Sequence, residues 1–271
     1  MTSTPPQADG LFGPGSVTWR ILAEPVMWIG GLRAMYLQAL HPRTMRATWQ
    51  NTAFARPGEA WGRFGRTVEF VRVRTYGSVA EVERAGRRVR KVHASLTGTD
   101  ADGSVIRLDE PDLLLWVHCG EIASYADIAR RAGMGLSARD LDEFVSEQRR
   151  SAAVVGVDPA EVPGSMAELD AYYERLRPQL RACGEARQAL VKSFLPDIPW
   201  PFIGLKLVVP PLNTLALASL PRWARRLYGA PGIPITDLSV TVTLRALHQA
   251  TTRIPAQLLG MPPAALTARA A

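Results

Sequence analysis

The stretch "DEPDLLLWVHCGEIASYADIARRAG", Asp109 to Gly133, decides the fold class. Pro111 stands just inside its start, where a missing N–H is harmless. Apolar residues then recur at three- and four-residue spacing, and Gly133 supplies a stop. That is the grammar of a helix. It repeats outward along the chain. "PGEAWGRFGRTVEFVRVRTYG" opens at Pro57 with Glu59 and closes at Gly77. "SVAEVERAGRRVRKVHASLTG" opens at Ser78 with a capping box completed by Glu81 and closes at Gly98. "EPVMWIGGLRAMYLQALH", Glu24 to His41, has Pro25 at its start. Further helices are predicted over Ala138–Val155, Ser165–Ala182, Gly184–Leu195, Gly204–Ala218, Pro221–Tyr228 and Ile235–Thr251.

Strand signals are few. "TGTDADGSVIRLD" offers a small turn around Asp102-Gly103, with short flanks. The Pro-rich pieces Leu195–Phe202 and Tyr228–Pro234 read as linkers between helices, and no internal repeat is visible. The prediction is an all-α protein, a single helical bundle of about ten helices over residues 11–254. A disordered N-terminal lead-in (1–10) and a C-terminal tail (255–271) flank it.

At 271 residues the chain can bury a substantial core without staples. Cys119 and Cys183 are far apart and form no CxxC, which argues against a disulfide framework, structural zinc and covalent c-type haem. The polar, Pro-rich start lacks the pattern of a signal peptide, so a cytoplasmic location is expected. The longest apolar tract, Leu205–Leu220, is short for a span and interrupted by Pro210 and Pro211. It reads as soluble helices or as a segment making peripheral membrane contact. The net charge of +7 is carried almost wholly by arginine, with only Lys91, Lys192 and Lys206 as lysines. Its spread along the chain argues against a nucleic-acid partner. The one dense cluster, "RAGRRVRKVH" (Arg84–His93), is a solvated face or a partner for acidic ligand groups.

Four histidines exist: His41, His93, His118 and His248. His93 falls on an apolar stripe made by Val82, Val89, Val92 and Leu96, so it is aimed inward from a basic helix. It is either a hydrogen-bonded core histidine or a ligand. On the preceding helix Arg63 and Thr67 share a face at i and i+4, with Arg66 alongside. Gly62 and Gly65 strip bulk from the same turns, for helix–helix contact or for a flat ligand. His118 and Glu121 share a face at i and i+3, and Glu121 is expected to accept the imidazole N–H. His41 reads as a last-turn histidine complementing a helix dipole, and His248 as structural. No glutamate stands three residues before a histidine, as a dinuclear carboxylate site needs, and no G-x-S-x-G elbow occurs. One inward histidine among arginines and apolar surface fits a buried haem pocket.

Four blocks, "GPGSVTWRILAEPVMWIGGLRAMYLQALHP", "WGRFGRT", "VRKVHASLTG" and "DEPDLLLWVHCGE", occur in this order. Together they resemble the MpaB/rubber-oxygenase catalytic domain family, which includes latex clearing proteins, over about Leu11–Ile254. The resemblance implies an all-helical protein with non-covalent haem b; the rubber-cleaving members of the family use it with dioxygen to cut carbon–carbon double bonds. It implies that His93 is the axial iron ligand, that Arg63 and Thr67 line the haem site, that Arg90 is a further cofactor-binding arginine, and that His118 lies near the core. Two departures stand out. Arg66 occupies the place of a lysine in the rubber-cleaving members, and "RTMRATWQNTAF" (Arg43–Phe54) lacks the carboxylate expected there. Glu59 and Glu69 are close in sequence without being obvious replacements.

The expectation is therefore a haem-b-dependent oxygenase acting on an apolar small molecule with dioxygen or peroxide. His93 binds the iron. Arg63, Arg66 and Thr67 anchor a propionate or donate hydrogen bonds to the oxidant. His118 acts behind the cofactor rather than on the iron. A haem-binding sensor or carrier and a metal-free helical enzyme are the alternatives.

Overall fold

The computed structural model describes residues 10–51, 59–195, 204–230 and 232–253. Within them the chain is an all-α bundle of twelve helices with one short hairpin. The expected lead-in apart from Gly10, the tail, and the predicted helix start at Pro57 lie outside the described residues.

Most of the predicted helices form, with shifted ends. The first long one runs as α2 (Met27–Gln38), preceded by a short α1 (Val17–Leu22). Pro42 does not merely end it: the proline opens a further helix, α3 (Pro42–Asn51). His41 supplies that helix's N-terminal acceptor, with Thr44 N 3.4 Å from its Nδ1. The last-turn reading of His41 is thus corrected. Helix α4 (Glu59–Tyr76) is followed by α5 (Val79–Ser95), whose capping box forms as predicted, Ser78 N donating to Glu81 Oε2 at 2.9 Å.

Helix α5 stops at Ser95 rather than Gly98 because Thr97–Thr99 (β1) pairs antiparallel with Val105–Arg107 (β2). The turn between them uses Gly103 at φ 86°, left-handed backbone that favours glycine. Next come α6 (Pro111–Ala132), α7 (Ala138–Val155), α8 (Met166–Leu176), α9 (Gly184–Phe194), α10 (Leu205–Ser219), α11 (Arg222–Leu227) and α12 (Pro234–Thr252). The predicted Ser165–Ala182 helix ends early, passing into a 3-10 turn that contains Pro178. Pro210 and Pro211 do not break α10.

Helix α6 is the axis of the core. It packs against α2, α7 and α12, and Trp116, Ile122 and Ile128 on it are essentially inaccessible. Burial of each such side chain is worth roughly 1.5–3 kcal/mol. Two glycines set the distance between α2 and α6. A Cβ on Gly30 would lie 2.7 Å from the Tyr125 ring, and one on Gly120 would lie 2.8 Å from the Gln38 side chain. Helix α5 closes on α7 in the same way, through Gly86. No helix among the described residues is long and apolar enough to cross a membrane.

Candidate functional site

Helices α4 and α5 pack as a pair joined by the tight turn at Gly77-Ser78. The inward face of α5 is Val82 and Gly86, both buried, then half-buried Val89 and His93. This corrects the predicted stripe: Val92 points out and is 47% exposed. His93 remains on the stripe because it continues the three- and four-residue steps from Gly86 and Val89.

Its Nδ1 is buried and has no hydrogen-bond partner. Protein imidazoles in such places normally find one. Burial lowers the His93 pKa, and the Arg63 guanidinium lowers it further, with Asp109 opposing. The ring is thus held in its neutral form, the form that ligates a metal.

Arg63 therefore comes within electrostatic reach of His93. Desolvation and the charge of Arg66 lower the pKa of Arg63 itself, although its surface remains accessible. Thr67 is exposed and donates through Oγ1 to the Arg63 carbonyl at 3.2 Å, which fixes the two on one face. Gly62, Gly65 and Arg66 are exposed as well. A Cβ at Gly65 would meet nothing among the described residues, and one at Gly62 only Arg66 Nη1 at 3.4 Å. Among the described residues these glycines make no helix–helix contact. They leave bare backbone on the face that carries the arginines.

Arg90 reaches across to α7, where Nη1 donates to the Val154 carbonyl at 2.6 Å. His118 is buried on α6 and its Nε2 lies 3.0 Å from the Gln148 carbonyl. Burial lowers its pKa to about 4, with the nearby Arg74 charge adding to the effect.

The expected acceptor, Glu121, is otherwise engaged: both of its oxygens take the Arg74 guanidinium. The Glu121–His118 bond is thus corrected to Gln148–His118. Sequence reading missed Arg74, which looks like one more arginine of a basic helix yet is among the least exposed charges of the chain. Glu69 lies exposed and accepts from Arg72 at 2.7 and 2.5 Å. His248 meets Glu24 at 3.3 Å, joining α12 to the start of α2.

Among the described residues no group of three or more His, Cys, Asp or Glu side chains is placed to hold a metal ion. A haem iron asks less of the protein, since one imidazole suffices. The arrangement on α4 and α5 is one neutral imidazole with a buried, unpartnered Nδ1 within the field of a cation, beside glycines that meet little among the described residues. The fold that carries it is an all-helical bundle.

The chain belongs to the family described as "ER-bound oxygenase mpaB/B'/Rubber oxygenase, catalytic domain", whose match spans residues 19–253. Its members are oxygenases, which gives an oxygenase-type activity on a small molecule. No curated protein and no solved structure matches the chain.

Proposed function

We propose that the chain is a haem-b-dependent oxygenase acting on an apolar small molecule with dioxygen or peroxide as oxidant. The observation that carries this is the pairing of His93 and Arg63: a buried, unpartnered imidazole nitrogen, kept neutral by burial first and then by a cation on the neighbouring helix. His93 would hold the iron. Arg63 and Arg66 would give charge-assisted hydrogen bonds to the haem carboxylates or orient the oxidant. Thr67 would hold the Arg63 backbone turn while presenting its hydroxyl on that face. The bare backbone at Gly62 and Gly65 leaves room for a flat macrocycle. Arg90, with Nη1 already committed to Val154, would offer its remaining donors to a carboxylate and fix α5 on α7. His118 would steady the interior behind the site. When bound, haem b supplies the dioxygen chemistry for which the side chains here have no equivalent.

The test is a spectrum and a variant. Protein produced with haem in excess should bind it one to one. His93→Ala should lose that binding, while His248→Ala should keep it. A Soret band unchanged in His93→Ala would remove the assignment. Dioxygen uptake in the presence of apolar alkenes then separates an oxygenase from a carrier.

A further inference from the structure

The hairpin that follows α5 carries a carboxylate back toward His93, and we infer that this residue, Asp109, positions the imidazole by accepting its free N–H and raising its donor strength toward iron. The role rests on the haem reading above and goes beyond it. The geometry begins at the end of α5. Leu96 N donates to the His93 carbonyl at 3.2 Å, and the Leu96 carbonyl accepts from Leu108 N at 3.1 Å. Thr97 pairs with Arg107 in the next rung. The returning strand therefore matches the outgoing one residue for residue, and the count brings Asp109 level with Ser95, the last residue of α5. A tight turn holds it there. Arg107 N donates to Glu110 Oε1 at 2.9 Å, and Arg107 Nε and Nη2 donate to the two Asp109 oxygens at 2.9 and 2.7 Å.

The other carboxylates of the hairpin are turned to α3. Glu110 meets Arg43 at 2.9 Å, and Asp100 meets both Arg43 and Arg46. Asp109 pairs instead with Arg107, an exposed side chain whose ion pair fixes geometry more than it adds energy. A carboxylate gripped this way keeps lone pairs for a further donor. The electrostatics agree with the register. Burial and Arg63 lower the His93 pKa, and Asp109 raises it. The Asp109 carboxyl is held low first by Arg107, with His93 a lesser cause. His93 thus stands in the fields of a cation on α4 and an anion on the hairpin. Iron takes one ring nitrogen, and the proton on the other needs an acceptor. Asp109 can supply one, directly or through one water. A carboxylate acceptor gives the ring some imidazolate character, which favours ferric over ferrous iron.

Haem titration, potentiometry and resonance Raman spectroscopy of the full chain test this role. Asp109→Asn should still bind haem one to one, with its affinity for ferric haem lowered roughly ten-fold. Its midpoint potential should rise, and its ferrous iron–imidazole stretch should move to lower frequency. Asp109→Glu should recover most of the parent values. Arg107→Gln frees the carboxylate from its cation, so potential and stretch should move the opposite way. That variant decides the matter if Asp109→Asn does not fold. Three results would remove Asp109 from this role and leave the haem reading intact: parent values in Asp109→Asn, shifts of the same sign in Asp109→Asn and Arg107→Gln, or an Asp109→Glu protein no closer to the parent than Asp109→Asn. A parent chain that binds no haem, or a His93→Ala protein that keeps the parent spectrum, would remove both.

Discussion

Arg74 of α4 and Glu121 of α6 form a two-pronged ion pair inside the bundle, one helical turn from His118. Burial disfavours both charges, but pairing wins: the Arg74 pKa rises and the Glu121 pKa falls. The pair ties the helix carrying Arg63 to the central helix of the core. It is also why His118 turns to the Gln148 carbonyl.

Breaking this pair from one side should be costly. Arg74→Ala leaves a carboxylate in the interior without its partner, and a loss of about 3–5 kcal/mol is expected. Arg74→Met/Glu121→Leu, which removes both charges, should lose much less. Urea unfolding of the single and double variants measures this. Equal losses would mean that packing rather than charge holds the two helices together.

His118 should make stability fall with acid. Its pKa is near 4 in the folded protein because burial opposes the charge, against an ordinary value of 6.5. Between those values the unfolded chain binds a proton that the folded chain refuses, so stability rises with pH across this window. The contribution is fully present above pH 6.5 and is lost as pH falls toward 4, amounting to about 3 kcal/mol. His118→Gln keeps a donor toward Gln148 and should flatten that part of the stability–pH curve. An unchanged slope would assign the acid sensitivity to another group.

The His93 titration should respond to two neighbours with opposite signs. Arg63→Gln removes a cation that lowers the pKa, so the pKa should rise, while remaining below the ordinary value because burial is the larger cause. Asp109→Asn removes an opposing carboxylate, so the pKa should fall further. Proton NMR of the imidazole in the haem-free chain reads both shifts. If neither variant moves it, Arg63 and His93 do not share a site.

Local signals were read correctly and long-range ones were not. The Ser78–Glu81 box and the Gly133 stop act within a turn, so the sequence states them directly. Pro42 is ambiguous by nature, since proline both ends one helix and opens the next. The phase of α5 was misread at Val92 because Val89 and Val92 fit a helical stripe equally well until α7 selects one face. Arg74 and Glu121 are 47 residues apart, and nothing in either neighbourhood announces the other. The acceptor for His118 is a backbone carbonyl, which every residue offers. The packing of α4 on α5 was legible because two helices joined by a tight turn face each other.

Two glycines on this helix pair should respond in opposite directions. At Gly86 an added Cβ would lie 2.7 Å from Val154 Cγ1 and 2.8 Å from the Val154 carbonyl oxygen. Gly86→Ala must push α5 off α7, and overpacking of that kind costs about 1–3 kcal/mol. It should also disturb the Arg90 bond to Val154. At Gly65 the space is open, so Gly65→Ala should gain up to about 1 kcal/mol from helix propensity alone. If the strip at Gly62 and Gly65 seats a flat cofactor, the same methyl should weaken haem binding while the haem-free chain becomes more stable. Urea unfolding without haem and a haem titration, run on the same variant, separate the two effects. A Gly65→Ala protein that is more stable and binds haem as the parent does would place the cofactor elsewhere on the α4–α5 pair.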